Sequence, residues 1–104
     1  MEKIVEQGFL FDFYGALLND HQRQVYEQYI YDNLSLSEIA LEHDISRQAA
    51  HDLIRRCDKM LSEYENKLHL VEKFVCIKED VSQIEQLSES DEIRELAHRI
   101  LEQL

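Results

Sequence analysis

Proline and tryptophan are missing from this chain, and glycine occurs only at Gly8 and Gly15. Hairpins and sandwich turns draw on Gly, Pro and Asn-Gly pairs, so the scarcity excludes most sheet architectures and predicts an all-α protein. No apolar run approaches the roughly 18 residues of a membrane span, so no membrane insertion is expected. The N-terminus, Met-Glu-Lys-Ile-Val-Glu, lacks the basic-then-apolar order of a signal peptide, which predicts a cytoplasmic location. Cations are few, 11 Lys and Arg against 22 Asp and Glu, a net charge of -11. Cys57 and Cys76 are the only cysteines and form no Cys-x-x-Cys pair, so Cys57 reads as a small buried hydrophobe rather than half of a disulfide. His21, His43, His51, His69 and His98 are scattered, without the converging spacing that a metal site needs. No glycine-rich phosphate loop and no Ser, His and Asp set is present. Neither a metal, nor a cofactor, nor enzymatic activity is expected.

What the chain does contain is amphipathic helix. At 104 residues, 44% hydrophobic and 32% charged, it has a globular composition rather than a disordered one. A first helix is predicted over about residues 3–18, with Phe9, Phe13, Tyr14, Leu17 and Leu18 inward. Gly8 and Gly15 each weaken it by roughly 1 kcal/mol relative to Ala. Asn19, with Gln22 three residues on, caps a second helix whose stripe is Val25, Tyr26, Tyr29 and Ile30. Asp32-Asn33-Leu34 is a turn. Near the other end, Ser88-Glu-Ser-Asp91 reads as a linker, and Ser90 caps a last helix striped by Ile93, Leu96, Ala97, Ile100, Leu101 and Leu104.

The most informative stretch is Ser35-Leu-Ser-Glu-Ile-Ala40 followed by Ile45-Ser-Arg-Gln-Ala49. Ser35 and Glu38 form a capping-box pattern at the start of a short helix. Ala40 is small where another helix must cross closely. His43-Asp44-Ile45 is a tight turn, with Ile45 expected to plug the corner. Ser46 caps a second helix whose inner face is Ala50, Leu53, Ile54 and Cys57. This is a helix-turn-helix. The second helix has no stop signal after Arg56, and Met60, Leu61, Tyr64 and Leu68 carry its stripe onward to about His69. The expected division is a helix-turn-helix domain with a long fourth helix over residues 1–70 and a helical extension over 71–104.

Ser46, Arg47, Gln48, His51, Arg55 and Arg56 are the candidate nucleic-acid-binding residues. They donate to phosphates and base edges, and a recognition helix presents its first turns to a groove. The plain alternative is a solvated helix face. Charge restrains the sharper reading. Residues 1–60 carry 6 cations and 11 acids, residues 61–104 carry 5 and 11, and the window 45–59 is locally positive, with Arg47, Arg55, Arg56 and Lys59 against Asp52 and Asp58. Such a patch predicts weak binding to generic DNA. The apolar stripes of the long helix and the last helix together exceed what one copy readily hides, which predicts a homodimer paired through the long helix or the C-terminal helix; the rival is a monomer whose residues 71–104 fold back over the long helix.

Three further pieces, Leu17-Leu-Asn-Asp-His-Gln-Arg23, Tyr29-Ile-Tyr-Asp-Asn-Leu34 and Lys59-Met-Leu-Ser-Glu-Tyr-Glu-Asn-Lys-Leu-His-Leu70, together with the two above, resemble the YlxM family over about residues 9–77. These are small bacterial proteins similar to region four of sigma factors. The resemblance implies a sigma-region-four-like helix-turn-helix bundle with a long recognition helix and a helical C-terminal extension. It also implies an accessory or regulatory role in the signal recognition particle pathway, with components of that particle as partners alongside nucleic acid, DNA or RNA. Two departures stand out. Asp44 occupies a turn position where the family has Gly, and Ala50-His51-Asp52 stands where it tends to have Val-Tyr-Asp. The rival readings are a DNA-binding transcriptional regulator of sigma-region-four type and a protein-interaction module without nucleic-acid binding.

Overall fold

The computed structural model describes residues 2–104 and contains six α-helices and no strand among them. They are α1 (Lys3–Tyr14), α2 (Asp20–Ile30), α3 (Leu36–His43), α4 (Arg47–Leu68), α5 (Leu70–Leu87) and α6 (Asp91–Gln103). The all-α expectation holds. The chain divides into two compact units, one ending at Leu68 and the other spanning His69–Leu104.

In the first unit α1, α2 and α3 all pack against α4. The core is Leu10, Tyr14, Leu18, Val25, Tyr26, Ile39, Ala40, Ala50, Ile54, Cys57 and Leu61. Local chemistry starts the helices. Asn19 accepts from the Gln22 amide at 2.8 Å while the Gln22 side chain accepts from the Asn19 amide at 3.1 Å. Ser35 and Glu38 repeat the arrangement at α3, each bond at 3.1 Å. Both capping boxes satisfy amide donors that a helix otherwise leaves open.

The first helix is shorter than its periodicity predicted. It stops at Tyr14, and Gly15–Leu17 form a single 3-10 turn. Gly15 is buried, and a Cβ there would lie 2.9 Å from the Phe11 ring. The ring lies against the bare Cα, so this glycine serves close packing. The tighter turn also rotates Leu17 outward. It is 55% exposed rather than inward, while Leu10 and Gln7, outside the predicted stripe, are buried.

Gln7 is buried because it has a partner. Asp58, halfway along α4, accepts from the Gln7 amide at 3.0 Å and from the Tyr26 hydroxyl at 2.5 Å. One carboxylate thus ties α1 and α2 to α4. Burial, followed by the bond to Asp58, pushes the Tyr26 phenol far above its ordinary range. About two turns further along α4, the Tyr14 hydroxyl donates to Glu65 at 2.5 Å. Cys57 is buried as expected, a free thiol that burial pushes up to about 11.

The second unit is a helical hairpin. Leu70–Leu87 is one continuous helix, and Ser90 caps α6 through the Ile93 amide at 3.3 Å. His69, at φ 57, breaks the chain between α4 and α5. Within this hairpin only Val71, Val81 and Ala97 are buried. The predicted stripe of the last helix is largely uncovered, with Ile93, Leu96, Ile100 and Leu104 exposed beside Ile77, Ile84 and Leu87 on α5.

Removing the Asp58 carboxylate isolates two donors that the core has already desolvated. Asp58→Ala is expected to destabilise the protein by about 2–3 kcal/mol. Asp58→Asn, which keeps an acceptor, should cost distinctly less. Chemical denaturation of the two variants beside wild type measures both.

Candidate nucleic-acid interface

The corner between α3 and α4 is built as a helix-turn-helix corner must be. Asp44 ends α3 in the left-handed conformation, φ 55 and ψ 46. Its amide and that of Ile45 both return to the Ala40 carbonyl, the latter at 3.0 Å. Asp visits this region more readily than most residues, though less readily than Gly, so the turn forms without a glycine. Ser46 then caps α4 through the Ala49 amide at 3.0 Å. Ile39, Ala40, Ala50 and Ile54 fill the space between the two helices. Ile45 is only half-buried, a flank to the corner rather than its plug. Glu38, drawn down by the Ser35 backbone amide and then its hydroxyl, is held below the usual carboxylate range.

The six candidate residues lie on the first three turns of α4 and at its cap. Ser46, Arg47, Gln48, Arg55 and Arg56 are exposed, and His51 is half-buried. At 3.6 residues per turn, Arg47, His51 and Arg55 run along one side of the helix, while Arg56 lies on the other side of its outward face. The positions pointing most directly away from Ala50, Ile54, Cys57 and Leu61 are occupied by Asp52 and Lys59. Sequence reading had counted Asp52 only as a charge. In the structure it organises the face, accepting from Gln48 Nε2 at 2.9 Å and lying 3.9 Å from His51 Nδ1. The helical spacing of residues 48 and 52 is the signal that could have found the first contact.

The charge of this face differs from the count along the sequence. Asp58 is turned inward to Tyr26 and Gln7, which leaves Asp52 as the outward acid of the window 45–59 against Arg47, Arg55, Arg56 and Lys59. Two other arginines are neutralised within their own helices. Arg23 meets Asp20 at 2.9 Å, and Arg94 pairs with Asp91. Among the described residues no carboxylate lies within ion-pair distance of Arg47, Arg55 or Arg56. Nor does any group of His, Cys, Asp and Glu among them converge as a metal site. No helix among the described residues is long and apolar enough to cross a membrane.

A capped α3, a left-handed turn and a long α4 presenting unpaired guanidinium groups define a helix-turn-helix protein. Comparison with known proteins gives the particular family. Residues 1–100 match the family described as "UPF0122: Putative helix-turn-helix protein, YlxM / p13 like", and the chain belongs to it. The match extends well beyond the motif-bearing stretch 9–77 into the hairpin. Among its relatives, a UPF0122 protein of Shouchella clausii is 40% identical over 104 residues, covering 100% of this chain and 95% of the relative. UPF0122 proteins of Bacillus thuringiensis and Bacillus mycoides are each 44% identical over 103 residues, covering 98% of this chain and 94% of each relative.

Asp44→Gly should relieve the one strained residue of the corner. The expected gain is about 0.5–1 kcal/mol, seen as a higher thermal midpoint with the circular-dichroism spectrum of the folded state unchanged.

Proposed function

We propose that this protein is a non-enzymatic, cytoplasmic helix-turn-helix accessory or regulatory protein of the signal recognition particle pathway that binds nucleic acid through α4. The observation that carries the binding reading is the set of unpaired guanidinium groups of Arg47, Arg55 and Arg56 on a chain otherwise rich in acid. Arg47 and Arg55, eight residues apart, are about 12 Å from each other along the helix axis. They suit phosphates on either side of a groove, with Gln48 and His51 between them for base edges or sugar hydroxyls. Asp52 at the centre repels a phosphate and accepts from an exocyclic amine. It therefore trades general affinity for selectivity. The pathway is supported by family likeness alone. The rival, a transcriptional regulator of sigma-region-four type, uses the same face on duplex DNA.

The binding test is a salt titration of full-length protein against fluorescent structured RNA and duplex DNA. Arg47→Ala combined with Arg55→Ala is expected to weaken binding and flatten the salt slope by up to about one unit per lost phosphate contact. Preference for the RNA favours the targeting pathway, and preference for the duplex favours the regulator. A double variant that binds like wild type at every salt concentration removes α4 from the interface.

The hairpin supports the second element of the reading, a homodimer. Below roughly 40 residues a domain rarely holds itself together without an additional constraint or partner. The segment His69–Leu104 buries three apolar side chains and exposes Ile84, Leu87, Ile93, Leu96 and Ile100. Ile84, Leu87 and Ile93 line a cavity of about 530 Å³ open to solvent. The stripe of α4, by contrast, is used within the first unit, where Ala50, Ile54, Cys57 and Leu61 are buried. Pairing therefore falls to α5 and α6. Sedimentation at micromolar concentration should show a dimer that Leu96→Glu with Ile100→Glu converts to monomer. A monomeric wild type rejects the pairing.

A further inference from the structure

α1 has two faces, and the core uses one of them. Gln7, Leu10 and Tyr14 face α4 through Asp58, the core and Glu65. The other face carries Ile4, Val5, Gly8, Phe9 and Asp12. With Ile30 and Tyr31 from the end of α2 they line an open groove of about 350 Å³. Ile4, Val5 and Tyr31 are each close to half exposed, more contiguous apolar surface than a solvated helix face needs.

Gly8 forms the floor of this groove, and the fold does not require a glycine there. Its φ is not positive. A Cβ would meet only the Tyr31 hydroxyl, at an ordinary 3.8 Å. Yet glycine inside a helix costs about 1 kcal/mol relative to Ala. A local rule broken without any gain to packing points to use of the surface. It contrasts with Gly15, where the Phe11 ring occupies the space a Cβ would take.

The wall opposite is held rigid. The Tyr31 hydroxyl donates to the Asp12 carboxylate and lies 3.3 Å from the Gly8 carbonyl, and its ring packs edge-on to Phe11 at 5.9 Å. Partial burial, the bond to Asp12 and the charges of Asp12 and Glu27 push this phenol up to about 12, and Glu27 stands one helical turn before Tyr31, whose amide bonds its carbonyl. No Lys or Arg lines the groove. Of the two cations in residues 1–34, Arg23 is paired with Asp20, and Lys3 lines a separate cavity beside Asp58.

We propose that this groove docks an amphipathic, basic helical segment of another protein, its apolar anchors against Ile4, Val5, Phe9 and Ile30 and a Lys or Arg against Asp12 and Glu27. Helix-in-groove recognition needs such a bare trough between helices with apolar walls, and the rim selects the sign of the partner. A second copy is a poor occupant. Its net charge is -11, which opposes the approach of a whole second chain to a carboxylate-rimmed groove.

The probe is a synthetic peptide of about four helical turns, with Leu at the i, i+3, i+4 and i+7 positions and Lys on both flanks. Its control has Glu in place of Lys. Each is titrated into the full-length protein while methyl and aromatic NMR signals are followed. The Lys peptide is expected to shift Ile4, Val5, Ile30 and Tyr31 saturably, and the Glu peptide to leave them in place. Val5→Glu and Gly8→Leu should each weaken the Lys peptide at least tenfold. Asp12→Asn with Glu27→Gln should weaken it severalfold and flatten its salt dependence. Val5→Glu changes an exposed site and keeps the test open if Gly8→Leu misfolds. Arg47→Ala with Arg55→Ala should bind the peptide like wild type, so the groove and the α4 interface fail or stand separately. Shifts spread evenly over the acidic surface, equal binding of both peptides, or the same shifts produced by raising protein concentration alone would overturn the proposal, the last in favour of a second copy.

Discussion

The half-buried carboxylate of Asp58 is the tie on which the first unit depends. It sits on α4 and accepts from a side chain on α1 and another on α2. In an interior of low polarity such bonds gain strength, and an unmet donor becomes expensive. The register of α1 and α2 against α4 is therefore set by directional bonds as well as by apolar contact. Leu10, Val25, Ile54 and Leu61 supply most of the burial, but apolar side chains tolerate sliding more readily than a bond of 2.5 Å does.

That tie has an electrostatic consequence at a distance. By taking Asp58 inward, the fold removes an acid from the outer side of α4 and leaves Arg47, Arg55, Arg56 and Lys59 to set the local sign. The face remains small, and the surrounding surface is acidic. Long-range attraction of a polyanion is accordingly weak, and binding would depend on short-range geometry. On the proposed reading, such a helix would suit a narrow set of sites and make little use of non-specific DNA. Asp52, at its centre, works in the same direction.

The two units meet the cost of folding differently. The first encloses a core of eleven apolar side chains with helix caps and polar ties around it. The hairpin encloses very little and leaves a long apolar seam outward. The first unit also leaves a groove at α1 and α2 open, over a glycine its packing does not need. Apolar surface is thus distributed to two places beyond the core, one rimmed by carboxylates and one running along α5 and α6.

Much of this was legible in the residues. The absence of proline and near-absence of glycine, with stripes at helical spacing, determined an all-helical chain. The caps at Asn19, Ser35 and Ser46 and the corner at Asp44 determined the helix-turn-helix, because these signals act within four residues and depend on backbone chemistry alone. Other features depended on tertiary packing. Periodicity ran α1 to residue 18, whereas the folded helix ends at Tyr14, Phe11 packs against Gly15 and Leu17 faces outward. Gln7 looked like a surface residue until Asp58, 51 positions away, supplied its partner. Charge counted along the chain treated Asp52 and Asp58 alike, and only the packing of α4 sent one outward to hold Gln48 and the other inward to hold Tyr26. Burial and partnership across long separations are properties of the folded arrangement, and a linear pattern of residue types does not contain them.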